Sequence, residues 1–391
     1  MKRRKPATAN SRAKPKAKNH LHNLKALTIR ITAMSRSGAG LGRDDNQRVT
    51  FVPFTAPGDL VKAKLTKATN KYAECRLVEV IEPSEQRITP KCPVFTLCGG
   101  CQWQHLPYEL QWQTKLQGVK DSLQLNQIDV PTSVEAFPAE QIWAYRNRIQ
   151  LKGDSNAIGF YEAKSNKLVN IDQCPIADQK LNDVINETAK EAKEKLTEKD
   201  KTFKVELALE TDGSVSKTWN AHHGATGFRQ VNDEQNKHLQ TWIKQNLNED
   251  IAVLDLYGGS GNLSIPLIDQ AAEIHCVDLN VPDSTNGLPD YFHFHRSSVL
   301  PWLKQHKCDN KLNWVALIDP PRDGLGNEVE EILQCLKKAK VKTIILVGCK
   351  TDPSSRDISR LLSDGWKLKK VAVMDFFPQT HHVESIAMLV R

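Results

Sequence analysis

No stretch of this 391-residue chain approaches the roughly eighteen consecutive apolar residues that a membrane helix needs, so no membrane-spanning helix is expected. Acidic residues are missing from its first twenty positions, where Lys2, Arg3, Arg4, Lys5, Arg12, Lys14, Lys16 and Lys18 stand among Ala, Pro and Asn. The same stretch lacks an apolar h-region, which excludes a secretory signal, and it has too few apolar residues for an amphipathic transit peptide. These absences point to a soluble, cytoplasmic protein with no membrane partner. The formal net charge is +8, and those eight cations account for all of it, so the remainder is formally neutral. Residues 1–22 therefore read as a disordered basic tail, because a polycation without apolar side chains buries nothing. Such a tail either condenses on phosphate backbones by releasing counterions or simply keeps the chain soluble.

A chain of 391 residues exceeds what one hydrophobic core usually serves, so two or three domains are expected. Over residues 23–84, β-rich runs at 27–33, 47–54, 60–66 and 72–81 alternate with turn signals such as Ser37-Gly38-Ala39-Gly40. That spacing predicts a small antiparallel barrel of the five-stranded oligonucleotide-binding (OB) type, which beside a basic arm favours nucleic acid as partner. Residues 85–233 read as a central domain with a cysteine cluster, an aromatic helix (Trp103, Tyr108, Trp112), a second β-rich stretch and a charged helix over 178–200. Across residues 234–391, helices alternate with apolar strands at 251–257, 273–278, 313–318, 342–347, 368–374 and 384–390. This is the pattern of an α/β fold with a doubly wound, Rossmann-like sheet.

Nine cysteines in a cytosolic chain read as metal ligands, nucleophiles or core residues before disulfides. Cys92, Cys98 and Cys101, with Cys174 before Pro175, offer four thiolates in loop-like surroundings, suited to a tetrahedral zinc or an iron–sulfur cluster. Only one Cys-x2-Cys pair is present, which favours iron–sulfur over paired zinc knuckles. Cys75, Cys276, Cys308 and Cys335 sit in apolar patterns and read as core or incidental thiols.

Val253 to Asn262 is a strand running into a Gly258-Gly259-Ser260-Gly261 turn and then a predicted helix, with Asp278 ending the next strand. An acid there suits ribose hydroxyls, which both NAD and S-adenosylmethionine carry. The turn lacks the full Gly-x-Gly-x-x-Gly spacing, so the methyl donor is preferred. Three further segments follow strand ends: Asp319-Pro320-Pro321-Arg322, Gly348-Cys349-Lys350, and Pro378 to Glu384. Paired prolines hold Asp319 rigidly at its strand end. Cys349 is a candidate nucleophile, with Lys350 and Arg356 as candidate cations to lower its pKa. Glu384 is a candidate general base, with His381 or His382 as alternatives for that role or for RNA contact.

Taken jointly, the four cysteines, Phe228-Arg229-Gln230-Val231-Asn232, the turn around Gly259, Asp319-Pro-Pro-Arg, Cys349 and Phe377 to Glu384 resemble the RNA uracil-5 methyltransferases. The resemblance runs from about Leu24 to Arg391 and is strongest to the RlmD-like branch, which modifies 23S ribosomal RNA and carries a TRAM barrel and a [4Fe-4S] cluster. It implies a class I methyltransferase domain behind an OB-like TRAM barrel and a small α+β domain holding the cluster on Cys92, Cys98, Cys101 and Cys174. It also implies Cys349 as covalent nucleophile and Glu384 as base. Tyr257, Gly259, Asn262 and Asp278 would hold S-adenosylmethionine, and Gln230 and Asp319 would orient the uracil or the donor. Ribosomal RNA would be the partner of a monomeric enzyme. The T-loop uridine of transfer RNA, or RNA binding by a decayed site, are the alternatives. Three stretches depart from the family pattern: Gly348 to Asp357 around the cysteine, Val281 to Pro289, which cannot form the usual helix, and Ser297-Ser298, where an acid near adenine is usual.

Overall fold

The computed structural model describes residues 26–130, 133–196, 201–221, 229–285, 287–309 and 311–391. The basic tail and Phe228 lie outside the described residues.

Five strands close the first barrel: β1 (Ala26–Met34), β2 (Gly40–Arg43), β3 (Val49–Val52), β4 (Leu60–Ala68) and β5 (Tyr72–Glu82), in the order β1-β2-β3-β5-β4. Alternation places Ile29, Ile31, Val61, Ala63 and Cys75 inside, where they form one small core. One expectation is corrected. The pairing of β3 with β5 is parallel, so the barrel is not wholly antiparallel. Ser37, Gly38 and Ala39 form the expected turn between β1 and β2, with Gly38 at a φ of 89°, while Gly40 opens β2, where a Cβ would lie 2.1 Å from Thr55 Oγ1.

After the barrel come α1 (Tyr108–Leu125) and β6 (Val134–Phe137). A five-stranded sheet follows, built from β7 (Arg148–Asp154), β8 (Ile158–Tyr161), β9 (Leu168–Asn170), β10 (Thr202–Leu209) and β11 (Val215–Trp219), in the order β11-β10-β7-β8-β9. Its apolar face packs on α2 (Gln179–Asp183) and α3 (Ile185–Lys195) through Leu181, Ile185 and Ala192. The single charged helix expected at 178–200 is thus two pieces that meet at Val184.

The remaining elements are α4 (Asp233–Asn246), β12 (Ile251–Leu256), β13 (Ala271–Asp278), β14 (Phe292–Arg296), α5 (Val299–Gln305), β15 (Asn313–Ile318), α6 (Val329–Lys338), β16 (Thr343–Gly348), α7 (Thr351–Ser363), β17 (Lys367–Met374) and β18 (Glu384–Val390). Eight strands form one sheet in the order β14-β13-β12-β15-β16-β18-β17-β6. From β14 to β16 neighbours run parallel, whereas β18 is antiparallel to both β16 and β17. Helices cover both faces: α4 packs through Leu239, Trp242 and Ile243 on one, and α1, α5, α6 and α7 on the other. Burial on both sides explains the unbroken apolar runs of the central strands.

The α-helix expected after the glycine turn is absent; a 3-10 turn, Ile265–Gln270, stands in its place. Pro266 lies at its start, and the short span before Ala271 leaves little room for a full helix. Between Leu279 and Tyr291 no helix forms among the described residues, as the prolines dictate.

Candidate active site

The glycine turn leaves β12 at Tyr257, which takes the left-handed conformation with φ of 62°. Its N–H donates to Val277 O at 2.9 Å, and the Gly259 N–H reaches Asp278 Oδ2 at 3.3 Å. The turn and the candidate ribose-binding acid are therefore joined directly. Beneath them Asp255 is fully buried, accepts a 2.6 Å hydrogen bond from Ser264 Oγ, and is pushed up to about 6 by that burial. No local residue pattern marks this supporting role. Asn262 does not project freely: its side chain exchanges hydrogen bonds of 2.9 Å with Asn236 and is met by Gln240, both on α4. A Cβ on Gly258 would lie 2.6 Å from Asp255 Cγ and from Cys276 Sγ. Gly258→Ala is therefore expected to cost about 1–3 kcal/mol and to weaken binding of S-adenosylmethionine, measured by thermal melting with and without the donor.

Register alone brings the candidate nucleophile and base together. Gly348 pairs with Ser385 across β16 and β18, so the next residues along, Cys349 and Glu384, leave the ladder side by side. Glu384 is buried, its Oε2 has no hydrogen-bond partner, and burial with the nearby Asp319 charge raises its pKa well above the usual carboxylate range. Burial also pushes the Cys349 thiol up to about 12, with Glu384 and Asp319 adding to the shift and Arg322 opposing it. Asp319 itself is raised to about 7 by burial and by the Asp255 and Asp278 charges, and its N–H donates to Leu256 O at 3.3 Å. The expected activators turn elsewhere. Lys350 Nζ lies 3.6 Å from Asp323, and Arg356 donates to the Asp323 carbonyl at 2.7 Å. Arg322, beside the two prolines, is the cation that acts on both Cys349 and Glu384.

A cavity of about 200 Å³ opens over Cys349, walled by Trp103, Lys115, His381 and His382 and by the barrel tip at Arg36 and Ser37. Burial lowers the pKa of both histidines, His382 to about 3, so both rings are neutral at pH 7. The loop carrying them is fixed from below. Lys115 on α1, fully buried, donates to Asp375 Oδ1 at 2.7 Å and to Phe377 O at 2.9 Å. Backbone N–H groups of Gln102 and Trp103 both donate to Gln379 O, at 3.1 and 3.0 Å. Tyr145 OH donates to Pro378 O at 3.1 Å.

The Gln102 and Trp103 contacts come from the segment just after Cys101, so the cysteine loop lies against the loop that leads into Glu384. Cys92, Cys98, Cys101 and Cys174 line one cavity of about 430 Å³, whose wall also includes Arg146, Gln230 and Arg322. Gln230 is buried and lines this cavity too. Among the described residues no three His, Cys, Asp or Glu side chains converge as ligands of a single metal ion.

A doubly wound sheet with a glycine turn after one strand and an acid ending the next is the cofactor frame of Rossmann-like methyltransferases. A family model described as tRNA (Uracil-5-)-methyltransferase matches residues 293–391, and a TRAM-domain model matches residues 24–78. The chain is 30% identical to a Shewanella sp. (strain MR-4) protein named 23S rRNA (uracil(1939)-C(5))-methyltransferase RlmD, over 96% of this chain and 98% of that one. It is also 30% identical to an uncharacterized RNA methyltransferase of Bdellovibrio bacteriovorus, over 93% and 94%. The fold matches that of Pyrococcus abyssi tRNA (uracil-54, C5)-methyltransferase in complex with S-adenosyl-L-homocysteine, with a TM-score of 0.69 at 22% identity over 93% of this chain and 100% of that one. The chain belongs to the RNA uracil-5 methyltransferase family and is an enzyme.

Proposed function

We propose that the protein methylates C5 of a uridine in 23S ribosomal RNA, using S-adenosylmethionine and a covalent bond from Cys349 to C6. The observation that carries this is the β16–β18 register, which sets the half-buried Cys349 thiol beside the buried Glu384, whose Oε2 lacks a hydrogen-bond partner. The uracil must present C5 and C6 in the cavity above Cys349, so it enters unpaired or flipped from its stack. Addition of Cys349 Sγ to C6 moves the π electrons toward C5 and O4, and Arg322 favours the thiolate that attacks. C5, now nucleophilic, takes the methyl group from the sulfonium, whose C–S bond breaks to leave S-adenosylhomocysteine. Glu384 then removes the C5 proton; the electrons re-form C5=C6 as the C6–S bond breaks and Cys349 returns as thiolate. Tyr257, Gly259 and Asp278 hold the donor, and Asn262 fixes the turn against α4. Asp319 and Gln230 orient the uracil or the donor.

Cys92, Cys98, Cys101 and Cys174 hold a [4Fe-4S] cluster in this reading. The support is chemical: backbone amides of Val94 and Phe95 point at Cys92, Gly100 at Cys98, and Ile176 and Ala177 at Cys174, with the Arg146 guanidinium nearby. Sulfurs spread around a cavity suit a cluster in which each iron takes one thiolate; a single zinc needs all four at one point, about 2.3 Å away. Bound there, the cluster would tie the 92–101 loop to the 174 segment.

The ribosomal substrate is supported by the RlmD-named relatives that match along nearly their whole length, and a monomeric, cytoplasmic enzyme suits that substrate. The deciding measurement is tritium release from RNA labelled at uracil C5, with ribosomal and transfer RNA from cells lacking the modification. Release from 23S RNA alone is expected. Release from transfer RNA alone would move the substrate, and none from either would leave an RNA-binding protein. Absence of iron and acid-labile sulfide from the anaerobically purified protein would overturn the cluster assignment.

A further inference from the structure

We propose that Arg36 and Asp352 form a clasp across the active-site mouth, and that an RNA phosphate flanking the target uridine opens it by taking Asp352's place on Arg36. This rests on the RNA reading above. Arg36 sits at the tip of the barrel, between β1 and β2, while Asp352 lies in the first turn of α7, directly after Cys349 and Lys350. Their Nη1–Oδ1 distance is 2.5 Å, and Ser122 Oγ on α1 donates to the same Oδ1 at 3.0 Å. Three separate parts of the fold thus meet at one carboxylate oxygen, and both Arg36 and Asp352 line the cavity that holds Cys349.

The position of the guanidinium is set by its stem. Gly118 of α1 leaves space for it: a Cβ at Gly118 would lie 3.1 Å from Arg36 Cγ. Behind it, Trp103 Nε1 donates to Gly38 O at 2.9 Å, so the barrel tip is anchored to the loop that walls the cavity. The pair itself faces solvent, with side-chain exposures of 32% for Arg36 and 69% for Asp352. An ion pair so exposed is weak and screened by salt. A phosphate offers a guanidinium two oxygens in the fork geometry it matches best. A base seated over Cys349 keeps its sugar–phosphate chain at the cavity mouth, where Arg36 is. Asp352 therefore acts as an internal competitor: it occupies Arg36 until a strand with a phosphate at the right place displaces it. It falls within the Lys350-Thr351-Asp352 stretch in which this chain departs from its family's pattern.

The test is fluorescence anisotropy of a labelled RNA hairpin carrying one unpaired uridine, titrated with full-length protein over a salt series. Wild type, Arg36→Gln, Asp352→Asn and the double variant are compared, and melting curves confirm that each is folded. Arg36→Gln is expected to weaken binding and to reduce the slope of log affinity against log salt by about one phosphate's worth, roughly 0.7 for a single strand. Asp352→Asn is expected to tighten binding several-fold in the wild-type background and to have no effect once Arg36 is gone. Arg36→Lys should keep the salt slope. An unchanged slope in Arg36→Gln, or equal tightening by Asp352→Asn in both backgrounds, would overturn the clasp. Failure of the wild type itself to bind the hairpin would instead count against the RNA reading.

Discussion

Cys349→Ala should abolish tritium release and leave RNA affinity unchanged, whereas Glu384→Gln should slow turnover by about 10²- to 10⁴-fold and trap the enzyme on its RNA. The two residues stand side by side, yet the chemistry asks different things of them. Without the thiol no addition to C6 occurs, C5 stays a poor nucleophile, and no covalent species forms. Without the carboxylate, addition and methyl transfer proceed, but the C5 proton has no acceptor and elimination stops. The expected sign is a protein–RNA band that survives denaturing electrophoresis in Glu384→Gln and is missing in Cys349→Ala. A band in neither variant would sink the assignment of Glu384. The pH dependence follows from burial. Both groups act deprotonated, and both are raised, Cys349 to about 12 and Glu384 well above the carboxylate range. The rate should therefore climb with pH through neutrality. Arg322 holds both down, so Arg322→Met should move the profile further to the alkaline side.

Much of this arrangement could be read from sequence because parallel strands buried on both faces write themselves as apolar runs. The expected strands at 251–257, 313–318, 342–347, 368–374 and 384–390 appear within a residue or so of β12, β15, β16, β17 and β18. The candidate site residues sit where those runs stop. Two strands of the same sheet were invisible. β14 carries His293 and His295, whose rings meet His275, Trp302 and His306. Burial keeps His275 near a pKa of about 3 and His295 near 4, so these polar letters pack as neutral aromatics. β6 has four residues and pairs at the far edge with β17, a contact that no local pattern announces. The activating cation was misplaced for a similar reason. Lys350 and Arg356 are near Cys349 in sequence, but the chain turns their charges toward Asp323, and Arg322 arrives from another strand end. The segment just after Cys101, remote in sequence from Cys349, bonds directly to Gln379, a contact that no local pattern announces.

Lys115 is the residue whose loss should unsettle the structure most, and nothing in its helical surroundings marks it out. It lies on α1 between Trp112 and Val119, and its ammonium meets Asp375 with neither side chain exposed. Asp375 also accepts from Tyr108 OH at 3.1 Å and from the Phe377 N–H at 3.1 Å. Lys115→Met leaves a buried carboxylate without its counter-ion, for an expected loss of about 3–5 kcal/mol. Replacing both partners by apolar residues should recover much of that loss, because the desolvation of two charges is then no longer required. Asp375→Asn should behave differently with pH. Burial already holds Lys115 below the ordinary lysine range, and Asp375 opposes that shift. With the carboxylate charge gone, the folded-state pKa falls further below the unfolded value. The penalty is then complete below the folded pKa and fades as pH rises toward the unfolded one, so Asp375→Asn should gain stability on going alkaline. Urea unfolding across the pH range reads this directly, and a flat profile would contradict the buried pair. Catalysis should suffer before unfolding does. Lys115 holds Phe377 O at the head of the loop that carries His381, His382 and Glu384, and a shift of about 1 Å in a reacting group costs on the order of 10²-fold in rate. Activity in the double apolar variant should accordingly stay low while its melting temperature recovers, which separates the stability of the pair from its hold on the catalytic loop.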